Sequence, residues 1–160
     1  MTTYRELLPI SANSRWEAAA ANLLSLHSWG CDYPIDPLVE LQKAVYKVAA
    51  FDGHGLVGFA VVNRHADPRP NTPENDELWF SCWVVHPDYR RRGIGRALHD
   101  HCIRFMQNTD GKFRLSGENQ PMIEWLKKQG WIVIDDPTIN KFGTCVNEAG
   151  EATTIMEFDL

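Results

Sequence analysis

The feature that most constrains this chain is an apolar strand that ends in a turn and runs straight into a glycine-bearing helix start: Val84-Val85-His86-Pro87-Asp88-Tyr89-Arg90-Arg91-Arg92-Gly93-Ile94-Gly95-Arg96-Ala97-Leu98. Glu77 to Val85 is rich in Trp, Phe and Val, as strands are, and His86 to Tyr89 is turn-forming. From Gly93 onward Ile94, Ala97, Leu98, Cys102 and Phe105 recur on one helical face. A strand-turn-helix unit of this kind gathers the unpaired amides and the positive end of the helix at one point, which suits a phosphate group. Gly93 and Gly95 keep a Cβ out of the way of such an anion. Arg90, Arg91, Arg92 and Arg96 crowd this stretch of a chain that carries 16 Lys and Arg against 21 Asp and Glu, a net charge of -5. The plainer alternative is a tight turn with solvated arginines. A Walker loop would place Lys-Ser/Thr after the glycine, where Arg96-Ala97 stands, and a dinucleotide fingerprint would need glycine at Leu98.

The elements around this unit can be read in order. Tyr4 to Leu8 reads as a short strand stopped by Pro9. Trp16, Ala19, Ala20, Leu23, Leu24 and His27 follow helical spacing up to Gly30, and Asp36-Pro37 opens a second helix with Leu38, Leu41, Ala44 and Val45 on one face. Tyr46 to Phe51 and Leu56 to Val62 bracket Asp52-Gly53-His54-Gly55 as a β-hairpin. Asn63 to Asp76, with Pro68, Pro70 and Pro73, reads as a long surface loop. Beyond the central helix come a strand from Lys112 to Ser116, a helix from Gln120 to Gln129 stopped by Gly130, and a strand from Trp131 to Ile134. Phe142 to Val146 and Ala152 to Phe158 read as a closing hairpin. The sum is a single α/β domain over residues 1–160, with a mixed, mostly antiparallel central sheet and helices on both faces.

Several classes are disfavoured. The acidic balance argues against nucleic acid, and no stretch has the roughly 18 to 20 apolar residues of a membrane span. Met1 to Pro9 lacks a basic region followed by an apolar run, so a cytoplasmic protein is expected. Cys31, Cys82, Cys102 and Cys145 are spaced neither as a metal knuckle nor as a disulfide framework and read as reduced thiols. His99-Asp100-His101 invites a metal reading, but positions two apart on a helix diverge, so no metal is expected.

The central stretch resembles the GNAT N-acetyltransferases, whose signature is Gln/Arg-x-x-Gly-x-Gly/Ala after a strand ending in Val-x-Pro. Arg90-Arg91-Arg92-Gly93-Ile94-Gly95 after Val85-His86-Pro87 matches it, and Asn119 followed by Gly130-Trp131 is similar to the family's Asn and Gly-Phe near its last helix. The resemblance implies the GNAT-like acyl-CoA N-acyltransferase fold and acetyl-CoA as cofactor. Backbone amides from Arg91 to Ala97, including Gly93, Ile94, Gly95 and Arg96, would hold the CoA diphosphate, with the Arg90, Arg91 and Arg92 side chains adding charge. Trp83, Val84 and Val85 would pair with the pantetheine amides as if that arm were a strand, and Asn119 would bond to it or simply cap its helix.

The implied reaction is direct attack of a primary amine, on a small molecule or a peptide or protein, at the thioester. Glu77 is the candidate base, the Val84 or Val85 amide the oxyanion donor, and Ser116, Cys82 or water a candidate proton donor. The family commonly has a tyrosine near the cofactor sulfur, and the corresponding position holds Leu126 beside Trp125. Trp29, Asp32, Tyr33 and Trp79 would line a site for a cationic amine, or serve only as core and loop. A homodimer is compatible with this reading. The missing tyrosine also leaves a non-catalytic acyl-CoA sensor or interaction module as an alternative.

Overall fold

A computed structural model describes residues 1–6, 19–20, 22–23, 44–53, 55–65, 77–109, 113–117, 119–134 and 154–158. Their strands are β1 (Thr2–Glu6), β2 (Tyr46–Asp52), β3 (Gly55–His65), β4 (Glu77–Val85), β5 (Phe113–Gly117), β6 (Trp131–Val133) and β7 (Thr154–Phe158). Two described helices, α1 (Ile94–Met106) and α2 (Gln120–Lys128), and a 3-10 turn at Pro87–Tyr89 complete the list. The chain separates into two compact units, one formed by Met1–Leu26, Asp36–Arg64 and Phe80–Asp110, the other by His27–Ile35, His65–Trp79 and Gly111–Leu160.

In the first unit the strand order is β1-β2-β3-β4. β1 and β2 are antiparallel, from Thr2 opposite Asp52 to Glu6 opposite Val48. The expected hairpin is present: β2 and β3 are antiparallel, with Asp52 opposite Gly55 and Gly53 at φ 61° in the two-residue turn. A two-residue hairpin needs such left-handed backbone, which glycine adopts without a steric cost. The register shifts between Ala50 opposite Gly58 and Phe51 opposite Leu56, so Val57 is an extra residue in β3. Its carbonyl accepts from the His86 amide at 2.8 Å, which ties the bulge to the residue just past β4.

Ala49, Phe59, Val61 and Val84 form this unit's core with Ala20, Leu23 and Ala44. Ala19, Ala20, Asn22 and Leu23 have helical backbone, as expected there. α1 packs on β2, where Phe105 stacks on Tyr46 with ring centroids 4.5 Å apart. Its buried residues are Ile94, Leu98, His99, Cys102 and Met106. Ala97 and Phe105, expected on that face, are only partly covered.

In the second unit the order is β4-β5-β7-β6. β4 and β5 are parallel through Leu78 opposite Phe113 and Trp79 opposite Arg114, whereas β7 is antiparallel to both β5 and β6. The sheet is therefore mixed and mostly antiparallel, as the sequence reading expects. Trp131 lies between Phe113 and Phe158, with centroids at 5.1 and 5.3 Å, and Ile123 and Leu126 bury the apolar face of α2. Gly130, at φ 105°, ends α2 in the backbone region that favours glycine.

Several boundaries are corrected. β3 continues through Asn63, Arg64 and His65, which the sequence reading gives to the loop. Strand length is set by backbone pairing within the sheet, and a ladder does not require apolar side chains. β1 starts at Thr2 rather than Tyr4. The loop after His65, the part of the expected second helix before Ala44 and the hairpin arm Phe142 to Val146 lie outside the described residues.

Candidate functional site

The site begins at the end of β4. Val84 is buried, Trp83 and Val85 are partly covered, and the chain then turns through Pro87–Tyr89. His86 caps this turn, its Nδ1 accepting from the Asp88 amide at 3.1 Å. The Tyr89 amide donates to the His86 carbonyl at 2.9 Å. Proline in the first turn sets φ where a missing N-H is no loss.

Arg91 then takes φ 62°, the sole non-glycine residue with positive φ among the described residues, and Gly93 takes φ 80° as the N-cap of α1. A non-glycine residue in this region costs about 1 kcal/mol or more, so the neighbours impose the conformation. The effect is to turn the chain sharply into the helix. The first intrahelical bond runs from the Ala97 amide to the Gly93 carbonyl at 3.0 Å. The Ala97 amide is thereby engaged, and the amides open to a ligand are those of residues 91–96.

This helix start has no side-chain cap and no acidic residue in its first turn. A Cβ added at Gly93 would meet nothing within 4 Å. The side chains of Arg90, Arg91, Arg92 and Arg96 are exposed. Two are held by neighbours: Arg90 Nε donates to the Val85 carbonyl at 3.3 Å, and Arg92 lies over the Tyr89 ring at 5.0 Å. Tyr89 is itself anchored by a hydrogen bond to the Asp52 carboxylate, which raises the phenol above its ordinary pKa. Open amides, a helix dipole and guanidinium groups without a competing carboxylate in the first turn fit the diphosphate of a coenzyme.

Behind the start of α1, the Trp83 indole Nε1 donates to the Gly95 carbonyl at 2.9 Å. Phe80 and His99 flank that indole, with ring centroids 5.2 and 5.7 Å away. His99 is only 2% exposed, and burial pushes its pKa down, opposed by the Asp100 carboxylate 3.0 Å from Nδ1. His101 turns instead to the Tyr4 ring. The two histidines have different surroundings, and no group of three or more metal-ligating side chains occurs among the described residues.

Three features of this geometry escape the sequence reading. The left-handed Arg91 follows from backbone context that residue identity does not show. The Tyr89 bond to Asp52 and the Trp83 bond to Gly95 are long-range, and the one hint is the placement of Trp83 two residues before the strand's end.

Of the remaining candidates, those that are described belong to the second unit. Asn119 is the N-cap of α2, its Oδ1 accepting from the Met122 amide at 2.9 Å. Leu126 is fully buried in the second unit. Trp79 is partly covered in the second-unit part of β4. Glu77 and Ser116 are in β4 and β5 by backbone, but their side chains lie outside the described residues, as do Trp29, Asp32 and Tyr33 altogether.

The profile of the acetyltransferase (GNAT) family matches residues 13–131. Comparison with curated protein sequences gives no significant match. Among solved structures, the NatC complex bound to Gag peptide and CoA is similar at TM-score 0.70 and 17% identity, over 99% of this chain and 98% of the other. Naa50 of Arabidopsis thaliana, in complex with the bisubstrate analogue CoA-Ac-MVNAL, gives TM-score 0.69 and 14% identity, over 99% of both chains. The ribosomal-protein-S18-alanine N-acetyltransferase of Escherichia coli gives 0.66 and 17%, over 99% of this chain and 93% of the other. At these identities the likeness concerns the fold. No described helix is long and apolar enough to cross a membrane.

Proposed function

Because the chain belongs to the GNAT acetyltransferase family, we propose that it moves an acetyl group from acetyl-CoA to a primary amine of a small molecule, peptide or protein by direct attack. The observation that carries this reading is the uncapped start of α1, where the amides of residues 91–96 stand open beside exposed arginines. Those amides would hold the coenzyme diphosphate, and Arg91, Arg92 and Arg96 would add charge-assisted contacts. Arg92, steadied over Tyr89, loses less conformational freedom on binding than a free side chain would.

When bound, acetyl-CoA supplies the acyl thioester and a thiol leaving group. The main chain of Trp83–Val85 is assigned to the pantetheine amides, with the Val84 or Val85 amide as donor to the acyl oxygen. An alkylamine with a pKa near 10.4 is protonated at neutral pH, so a base must take its proton; Glu77 is assigned that role. Leu126 supplies no acid, and a thiol with a pKa near 8.5 can leave as the thiolate. The cytoplasm is the proposed compartment, in keeping with the buried free thiol of Cys102.

The test is a calorimetric titration with CoA followed by thiol release from acetyl-CoA over a panel of amines, including peptide amino termini. Binding plus thiol release that depends on the acceptor supports the assignment. Binding without release over the whole panel would favour a sensor, and no binding would overturn the diphosphate cradle.

A further inference from the structure

We propose that Trp83 is a positioning residue whose indole N-H fixes the diphosphate cradle at the start of α1 in register with the end of β4. The proposal rests on the coenzyme reading above and deepens it by assigning a role to a side chain. The main chain of Trp83 belongs to the strand assigned to pantetheine, while its indole Nε1 reaches forward to donate to the Gly95 carbonyl at 2.9 Å. Gly95 lies within the run of open amides. One residue therefore spans the two surfaces that a single coenzyme molecule must meet at once.

The surroundings show why this bond matters. α1 has no side-chain cap, and Gly93 touches nothing at its Cβ position, so the usual local anchors of a helix start are missing. The indole bond anchors the first turn from outside the helix. The indole is itself restrained by Phe80 at 5.2 Å and His99 at 5.7 Å, so little side-chain freedom remains to be lost when the bond forms. The ring lies against this turn: a Cβ at Gly95 would be in ordinary van der Waals contact with it, 3.7 Å from Nε1 and 3.9 Å from Cζ2. A second tie runs the opposite way, from Arg90 Nε to the Val85 carbonyl at 3.3 Å. Strand end and helix start are thus braced together through groups that would not themselves touch the reacting atoms.

A ligand that reaches both surfaces should feel the loss of this register, and a ligand that reaches only the cradle should not. The experiment measures calorimetric affinities for acetyl-CoA and for adenosine 5′-diphosphate, which has the diphosphate but no pantetheine. The proteins are wild type, Trp83→Phe, and the chain with β-(3-benzothienyl)alanine placed at position 83 alone. The last keeps the shape of the indole and lacks its N-H, so it decides the matter if Trp83→Phe does not fold. Loss of one neutral hydrogen bond should weaken acetyl-CoA by about fivefold in each variant, with adenosine 5′-diphosphate unchanged. Unchanged acetyl-CoA affinity, or equal weakening of both ligands, would overturn the positioning role. If the wild-type protein binds neither ligand, the coenzyme reading itself is overturned and this inference with it.

Discussion

At Gly58 β3 faces both the end of β4 and the first turns of α1, and replacing it by alanine tests whether that contact sets the cradle. A Cβ there would stand 3.0 Å from the Val84 carbonyl oxygen, 3.3 Å from Leu98 Cδ1 and 3.4 Å from Ile94 Cγ2. The two side-chain ends can give by a few tenths of an ångström, but the carbonyl belongs to the backbone of a buried strand residue. Overpacking of this kind costs about 1 to 3 kcal/mol. Against it stands a gain of about 0.4 to 1 kcal/mol, because alanine has less freedom than glycine in the unfolded chain. The balance is a loss of about 1 kcal/mol, which for a chain of this size lowers Tm by about 2 to 4 °C.

The same displacement has a functional consequence, since relief must come from moving Val84 or the helix that carries Ile94 and Leu98. A shift of some tenths of an ångström between strand end and cradle should weaken CoA by about threefold to tenfold, given that 1 Å misplacements can cost about a hundredfold. Thermal unfolding and calorimetry on Gly58→Ala read the two effects. Gly55→Ala is the control, because its Cβ would meet only the Asp52 carbonyl at 3.6 Å, and it should leave CoA affinity unchanged. Wild-type stability and affinity in Gly58→Ala, or equal damage in Gly55→Ala, would refute the reasoning.

Other perturbations separate the remaining roles. Gly95→Trp starts from a Cβ already against Val85 and Trp83 and forces strand end and helix start apart, so CoA binding should disappear in calorimetry while far-UV circular dichroism keeps its folded spectrum. Glu77→Gln should lower acetyl transfer more at neutral pH than at high pH, where the amine deprotonates unaided; an equal loss across the pH profile removes Glu77 as base. His99, whose folded pKa is lowered chiefly by burial, gains its proton in the unfolded chain first. Stability should therefore fall as pH drops below the ordinary histidine value of about 6.5, a slope that chemical denaturation would show and that His99→Gln should flatten. Tyr89→Phe removes the bond to Asp52 and should weaken CoA only modestly, by about twofold to threefold for one exposed hydrogen bond, with the Arg92 contact retained.

What the sequence disclosed and what it withheld follow from the range of the forces involved. The α1 face of Ile94, Leu98 and Cys102 is legible because burial repeats with the helix period. His99 escapes that pattern: its ring is polar by composition, yet it packs against Phe80 and Trp83 as an aromatic surface. The hairpin at Asp52–Gly55 is legible because turn chemistry is local. The end of β3 at His65 is not, since the prolines that mark the loop begin only at Pro68. Within the candidate site, the glycines and arginines announce a place for an anion, but the indole bond to Gly95 joins residues 12 apart and depends on a sheet already formed.

The two described helices bring out what distinguishes the site. α2 follows the rules for a stable helix: Asn119 caps it at 2.9 Å, proline stands in its first turn, and Lys127 and Lys128 occupy its last turn, where cations favour the dipole. α1 breaks those rules at its start. It has a glycine N-cap in left-handed backbone without a side-chain bond, no acid in the first turn, and Arg96 at the end where the dipole disfavours positive charge. A missing cap forgoes about 1 kcal/mol, and the arginines add repulsion that only an anion relieves. Since the same chain builds a properly capped helix elsewhere, this departure is local to the amides of residues 91–96. A bound diphosphate would supply both the acceptors and the negative charge that the helix lacks, so the feature least favourable to the empty fold is the one best matched to the ligand.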